Sequence, residues 1–359
     1  KSPNLKHKKE TMTLPKIDTD ALLTFLTHLL HTPSPTGYTE NAISLCENEL
    51  GDIPDVSLSR TNKGALVGVL PGQSEEGWRA MTAHVDTLGA MVKMIKANGR
   101  LKMSKLGGYA WNTVEGEGVN VFTQDGEAVR GSILLDKASS HVHGQDVGKT
   151  ERNDENMEIR LDAHTTSKDE TRSLGIEVGN FIAFDPRVEV TNGFVRSRHL
   201  DDKACVACMI FAVKALVRAG LKPKKTSVLH VSNYEEVGHG AAAGIPPQVT
   251  ELLSVDMAAV GDGQTSDEFH TTLCVKDSGG PYHYGLSQRM RQLAEKYGIP
   301  YKVDIYPYYG SDGEAFWRAG GDVAVALIGP GVDASHNYER THTEALLATT
   351  QWCLAYLLH

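Results

Sequence analysis

The feature that most limits the fold of this chain is an alternation of helical segments with short apolar runs after residue 202. The apolar runs are rich in β-branched residues and are short, as expected for buried strands. Such alternation predicts an α/β fold with a mostly parallel sheet and helices on both faces. Helices are predicted over 19–30, 39–50, 203–219, 286–297 and 344–358, and strands over 65–70, 78–83, 227–233, 252–256 and 323–328.

The region between residues 88 and 194 departs from this alternation. It contains short β-like pieces separated by Gly and Asn, which predict a small β-rich domain inserted into the α/β domain. The α/β domain would then consist of residues 12–87 and 195–359. The β-like pieces lie at 91–95, 119–122, 133–135 and 180–184.

Charge and cysteine content narrow the class of protein. A formal net charge of −9 and a pI near 5.9 argue against nucleic acids or anionic membranes as main partners. The five cysteines are few and odd in number, so a disulfide framework is not expected. This predicts that the protein is located in the reducing cytoplasm. Cys205 and Cys208 lie in a small, apolar helical pattern, which favours packing over a redox or metal site. Residues 1–11 are basic and polar, lack a signal-peptide core, and are predicted to form a disordered tail.

Candidate functional residues stand where the predicted strands end. Glu235 and Glu236 follow the strand that begins at Ser227, and neighbouring residues there point in different directions. One glutamate can therefore hold a metal while the other faces the substrate as a proton carrier. His84 ends another strand, and Asp86 could accept a hydrogen bond from its second ring nitrogen, which would orient the ring.

Three further residues complete the set. Asp201 precedes a helix, where it is either an N-cap or a carboxylate that bridges two cations. Asp256 ends a strand, and His342 precedes the last helix. His336 is the alternative to His342. Two imidazoles with three carboxylates at one sheet edge predict a two-metal hydrolase that binds Zn²⁺, Co²⁺ or Mn²⁺.

Seven motifs extend this pattern over nearly the whole chain beyond the tail. Through them the sequence resembles the tetrahedral-type (TET) dinuclear metallo-aminopeptidases of peptidase family forty-two. Two further stretches, Gly-Pro-Gly (329–331) and Ser-His-Asn-Tyr-Glu-Arg-Thr-His (335–342), resemble a bacterial branch linked to osmoprotectant dipeptide metabolism. The motifs are Ala-His-Val-Asp-Thr-Leu-Gly-Ala-Met-Val (83–92), Lys-Leu-Gly-Gly (105–108), Leu-Gly-Ile-Glu-Val-Gly-Asn (174–180), Phe-Asp-Pro (184–186), Leu-Asp-Asp-Lys-Ala (200–204), Glu-Glu-Val-Gly (235–238) and Gly-Ser-Asp-Gly (310–313).

The resemblance implies a function for each candidate residue. His84 and Asp256 would be terminal ligands of one metal ion, Glu236 and His342 of the other, and Asp201 the bridge. Glu235 would be the general base and Asp86 the partner that orients His84. The reaction would be hydrolysis of the N-terminal peptide bond of small peptides.

The resemblance also concerns architecture and assembly. It implies that the insert is a PDZ-like β-barrel used in assembly, and that the protein is a homo-oligomer ranging from a dimer to a dodecamer. One departure is that Arg340-Thr-His-Thr lacks the proline that follows the last ligand in the family, which leaves the choice between His336 and His342 open. A deacylase or amidase of small acylated amino acids or dipeptide amides, or a non-catalytic assembly protein, are the alternatives.

Overall fold

The computed structural model describes residues 13–359, so the predicted tail over 1–11 lies outside the described residues. The helices are α1 (Thr19–His31), α2 (Glu40–Gly51), α3 (Ser140–His143), α4 (Asp146–Lys149), α5 (Lys168–Ser173), α6 (Leu200–Arg218), α7 (Tyr284–Tyr297), α8 (Asp312–Arg318) and α9 (Thr343–Leu358). The strands of the first half are β1 (Ser57–Arg60), β2 (Leu66–Leu70), β3 (Trp78–His84), β4 (Gly89–Ile95), β5 (Leu101–Leu106), β6 (Gly118–Phe122), β7 (Ala128–Leu135), β8 (Met157–Leu161) and β9 (Phe181–Phe184). Those of the second half are β10 (Glu189–Thr191), β11 (Phe194–Ser197), β12 (Ser227–Ser232), β13 (Val249–Val255), β14 (Ala258–Val260), β15 (Thr271–Asp277), β16 (Gly280–Pro281), β17 (Tyr301–Ile305), β18 (Ala324–Asp333) and β19 (Glu339–His342).

The larger part of the protein is built on one mixed sheet. Its main path runs β1-β2-β12-β3-β13-β18-β19-β11-β10. The four central strands β12, β3, β13 and β18 pair in parallel, whereas the pairings beyond them along this path are antiparallel. The expectation of a mostly parallel sheet therefore holds for the centre only. The parallel centre is what brings several strand carboxyl ends to one edge.

Helices cover both faces of this sheet, as the sequence predicts. Along β18, Ala326 and Ile328 pack in the core beneath α1, α6, α7 and α9, while Val325 and Leu327 pack in the core on the face that α8 covers. This alternation follows from the two-residue period of a strand. Burial on both faces explains why the central strands read as continuous apolar runs. Within residues 13–359, no helix combines the length and apolar character that crossing a membrane requires.

The second part is a small closed barrel. Its strands follow the order β4-β5-β8-β7-β6-β9, and the inward residues form a separate core that includes Val121, Ile133 and Ile159. The predicted short β pieces fall on β4, β6, β7 and β9. Strand β10, although inside the predicted insert, pairs with β11 in the large sheet.

A buried ion pair joins the barrel to the large sheet. Arg198 follows β11 and is 1% exposed, and Glu117 precedes β6 with 7% of its side chain exposed. The Arg198 Nε and Glu117 Oε1 atoms are 3.2 Å apart. Arg198 also donates to the carbonyl of Thr113, and Arg187 donates to the same Glu117 oxygen at 2.5 Å. The barrel is thereby tied to the segment that leads into Asp201.

Candidate metal centre

The parallel strand ends carry the polar residues that form the site. His84 is the last residue of β3, and Asp256 directly follows β13. Glu236 lies in a 3₁₀ turn (Glu235–Val237) after β12, and His336 lies in the turn between β18 and β19. Asp201 stands at the start of α6, where its backbone angles are not helical (φ −74°, ψ 104°). Because these strands are parallel neighbours, their ends meet at one edge of the sheet.

Two groups of potential ligands share Asp201. Within each group the ligand atoms lie within 4.8 Å of one another: His84, Asp201 and Asp256 in the first, and Asp201, Glu236 and His336 in the second. Asp201 Oδ1 is 3.2 Å from His84 Nε2, and Asp201 Oδ2 is 3.3 Å from His336 Nε2. His336 Nε2 is also 3.6 Å from Glu236 Oε2. One carboxylate thus presents a different oxygen to each group.

The structure does not bring His342 into these groups. Its ring packs between Phe194 and Phe269, with ring-centre distances of 4.9 and 5.1 Å, and its Nδ1 accepts from the backbone N–H of Glu344. His342 therefore caps α9, and the assignment of the last ligand position to His342 is corrected to His336. The physical reason is that β18 continues to Asp333, so the turn that returns to the site contains His336.

Asp86 makes contacts beyond the predicted one. Its Oδ1 is 3.5 Å from His84 Nδ1, but the shorter contact of that nitrogen, 2.9 Å, is with the backbone carbonyl of Asp86. The Asp86 carboxylate accepts from the backbone N–H groups of Glu235 (3.1 Å) and Glu236 (3.3 Å), and from the hydroxyl of Thr36 (2.7 Å). Asp86 therefore holds the turn that carries both glutamates, as well as facing His84.

Glu235 faces a cleft next to both groups. Its Oε2 is 3.5 Å from His84 Nε2, and 16% of its side chain is exposed. The cleft has a volume of about 390 Å³. Its wall also includes Met257, Tyr308, Tyr309, Gly310 and Ser335. A carboxylate that opens into a cleft beside potential metal ligands can exchange a proton with a bound substrate or with water.

The buried polar atoms of this site fit a cation. Among the described residues, His84 Nε2 and Glu236 Oε1 are buried without a hydrogen-bond partner. Burial, and then the charge of Asp201, raises the pKa of Glu236 to about 8 and that of Asp256 to about 7. Crowded carboxylates and a lone imidazole nitrogen are stabilised when divalent cations lie between them. The all-N/O donor set suits Zn²⁺, Co²⁺ or Mn²⁺.

Sequence reasoning missed two residues that hold the site. Asp312, in the Gly-Ser-Asp-Gly motif, accepts from the backbone N–H of Ala241 at 2.7 Å and from the hydroxyl of Ser232. Glu339 accepts from backbone N–H groups of two candidate ligands. Asp312 lies in the Gly-Ser-Asp-Gly motif and Glu339 in the Ser-His-Asn-Tyr-Glu-Arg-Thr-His stretch (335–342), so both stretches stood out in the sequence, but neither residue was assigned a role.

Comparison with known proteins shows the family to which this chain belongs. Residues 64–351 match the family model described as M42 glutamyl aminopeptidase. The chain belongs to the M42 aminopeptidase family. It is therefore a hydrolase that removes N-terminal residues from peptides. It is 48% identical over 330 residues to the protein with the name "Putative aminopeptidase YhfE" of Bacillus subtilis (strain 168), covering 92% of this chain and 95% of that protein.

Solved structures show the same fold at lower identity. The structure of an aminopeptidase, APDkam598, from the archaeon Desulfurococcus kamchatkensis matches this M42 protein with a TM-score of 0.85 at 22% identity. The match covers 94% of this chain and 95% of the archaeal chain. The TET1 peptidase of Pyrococcus horikoshii has a TM-score of 0.83 at 23% identity, covering 94% of this chain and 99% of its own. The latter can assemble into a tetrahedron or a large octahedral shell.

Proposed function

We propose that this aminopeptidase works with two divalent metal ions, Zn²⁺ being the first candidate. His84 and Asp256 would bind one ion, Glu236 and His336 the other, and Asp201 would bridge them. The observation that carries this proposal is that the two oxygens of Asp201 face His84 and His336 separately, at 3.2 and 3.3 Å. His336 replaces the earlier candidate His342 in the ligand set.

In this proposal the side chains of the protein carry out the proton transfers and keep the site residues in place. When bound, the metal ions would acidify a water molecule and polarise the scissile carbonyl. Glu235, which opens into the cleft beside His84, takes the proton from the attacking water and delivers it to the leaving amine. General acid–base catalysis of this kind contributes ~10²–10⁴-fold in rate. Asp86 keeps Glu235 and Glu236 in place through their backbone N–H groups.

The substitution Glu235→Gln tests the assignment of the base. The amide keeps the shape of the side chain but cannot accept the proton, so we expect both metal ions to stay bound while turnover falls by ~10²-fold or more. Metal content is measured by elemental analysis, and turnover with dipeptides that have a free amine. Glu344→Gln, which neutralises an exposed glutamate outside the cleft, is the matched control. A Glu235→Gln variant that retains more than about a tenth of the wild-type rate contradicts this role.

The same assay separates the aminopeptidase from the deacylase alternative. An aminopeptidase cleaves dipeptides with a free amine and leaves their N-acetylated forms intact, whereas a deacylase shows the opposite preference. Loss of activity after chelation, and its return with Zn²⁺, Co²⁺ or Mn²⁺, would identify the metal requirement. Activity that survives complete removal of metal would contradict the two-metal proposal.

We also propose a cytoplasmic location and a homo-oligomeric assembly in which the barrel takes part. The five cysteines are free and buried, which suits a reducing compartment. The TET1 peptidase, which has the same fold, can assemble into a tetrahedron or a large octahedral shell, and this supports an assembly for this chain. Light scattering of the purified protein tests the assembly, and a monomer at working concentration would refute it.

A further inference from the structure

Glu339 lies behind the metal centre and is not one of its candidate ligands. It is the first residue of β19, is 2% exposed, and pairs in register with Ser197 of β11. Its place in the large sheet fixes its backbone. The carboxylate is held by its own hydrogen bonds to two backbone N–H groups.

The two oxygens of Glu339 bind two different candidate ligand residues. Oε2 accepts from the backbone N–H of Asp201 at 3.0 Å, and Oε1 accepts from the backbone N–H of His336 at 3.0 Å. Asp201 and His336 belong to segments far apart in sequence. One buried side chain thus sets the distance between the proposed bridging carboxylate and the proposed last imidazole.

His336 needs such support because its backbone is strained. Its φ is +62°, in the left-handed region that residues with a Cβ rarely adopt. Strained residues persist where surrounding contacts hold them. Besides Glu339, the barrel contributes one contact, between the backbone carbonyl of Gly108 and Nδ1 of His336. The first contact holds the backbone of His336 and the second orients its ring.

We propose that Glu339 is a positioning residue that holds Asp201 and His336 at the separation the second metal ion requires. This inference rests on the proposed two-metal function. It assigns Glu339 no contact with substrate or metal. Loss of one of its oxygens would leave either the buried N–H of Asp201 or the partly buried N–H of His336 without this acceptor, and the corresponding ligand would move.

The substitution Glu339→Gln removes one acceptor at nearly constant volume, because the amide nitrogen would face an N–H donor. The matched control is Glu268→Gln, which neutralises a neighbouring glutamate that pairs with Arg340 at 2.6 Å. Zn²⁺ affinity and stoichiometry are measured by competition with a chromophoric chelator, and Co²⁺ coordination by its visible absorption spectrum. Partners that orient metal ligands typically contribute 10–100-fold to metal affinity.

We expect Glu339→Gln to bind one of the two ions 10–100-fold more weakly, to change the Co²⁺ spectrum, and to lower kcat in a way that excess metal partly restores. Glu268→Gln should match the wild type in all three measurements. If Glu339→Gln does not fold, the same measurements are made on Glu339→Asp. The shorter side chain keeps the charge but moves both oxygens away from the N–H groups of Asp201 and His336.

Wild-type affinity and an unchanged spectrum in the folded variant would overturn the positioning role. That result differs from failure of the two-metal proposal, in which the wild-type protein itself would bind fewer than two ions. A uniform loss of stability with unchanged metal affinity would also overturn the role, since it would reduce Glu339 to a structural residue.

Discussion

The buried ion pair between Glu117 and Arg198 joins the barrel to the large sheet, and the loss of unfolding free energy on breaking it can be predicted. In Glu117→Gln the side chain keeps its shape and loses its charge, while the guanidinium of Arg198, 1% exposed, stays buried. Removing one partner of a buried ion pair costs ~3–5 kcal/mol, because the other charge is left uncompensated. Arg198 keeps the carbonyl of Thr113 as an acceptor, so we expect a loss near the lower end, about 3 kcal/mol.

The matched control is an exposed pair on the same barrel. Arg130 binds Asp185 through two contacts of 2.7 and 2.6 Å, but the two side chains are 46% and 28% exposed. Exposed ion pairs contribute ~0–1 kcal/mol to the free energy of unfolding. Asp185→Asn should therefore cost at most about 1 kcal/mol, although the Arg130–Asp185 pair has the better geometry of the two.

Urea unfolding measures both variants, at equal protein and metal concentration because ligand binding and assembly shift apparent stability. The double variant Glu117→Gln/Arg198→Met should recover part of the loss, since no buried charge is then left alone. The reasoning is refuted if Glu117→Gln costs no more than Asp185→Asn. It is also refuted if the double variant is less stable than the single one.

Three further predictions concern the site and its surroundings. His336→Gln should weaken binding of one metal ion at least ~100-fold while His342→Gln leaves metal affinity unchanged, and titration with Zn²⁺ would contradict the ligand assignment if the two variants behaved alike. Burial, and then the charge of Lys63, lowers the pKa of His230 to about 4. The unfolded chain, with a His pKa near 6.5, therefore binds a proton first, and up to ~3 kcal/mol of stability should be lost as the pH falls from about 6.5 to about 4. His230→Gln should lack this component, so parallel stability–pH curves for the two proteins would refute it. Tyr308, 97% exposed on the cleft wall, should contact the substrate, so Tyr308→Ala should raise KM for peptides with an apolar first residue with little change in kcat, and an unchanged KM would exclude that contact.

The positions of several site residues followed from the sequence because the central strands are buried on both faces. Such strands are mostly apolar, and charged residues or histidines close to their carboxyl ends stand out against them. His84, Glu235 and Asp256 were located in this way, and the structure brings them together. Strands β15 and β17 lie off the main path of the sheet and were not predicted. In β15, the polar residues Thr271, Thr272 and Lys276 obscure the short apolar run between them.

His342, the expected last ligand, lies outside the two groups of candidate ligands, and His336 lies in the second group. The strand was predicted to end at Ile328, directly before Gly329-Pro330-Gly331. In the structure the strand continues to Asp333, and Gly329 is needed because a Cβ there would lie 1.8 Å from the carbonyl oxygen of Asp256. The glycine reflects a close approach of two backbones, which no local pattern distinguishes from a turn. Residues 339–342 then form β19, which pairs with β11 and places His342 against Phe194, outside the ligand groups.

The candidate ligands are drawn from segments between His84 and His336, so nearly the entire described chain must be in place before they can meet. A partly synthesised chain that lacks β18 and the turn after it has no complete second group. Capture of the second ion would then be among the final events of maturation. Stoichiometric metal content would report that the C-terminal segment has docked correctly, a check that far-ultraviolet circular dichroism, which records only local backbone structure, does not provide.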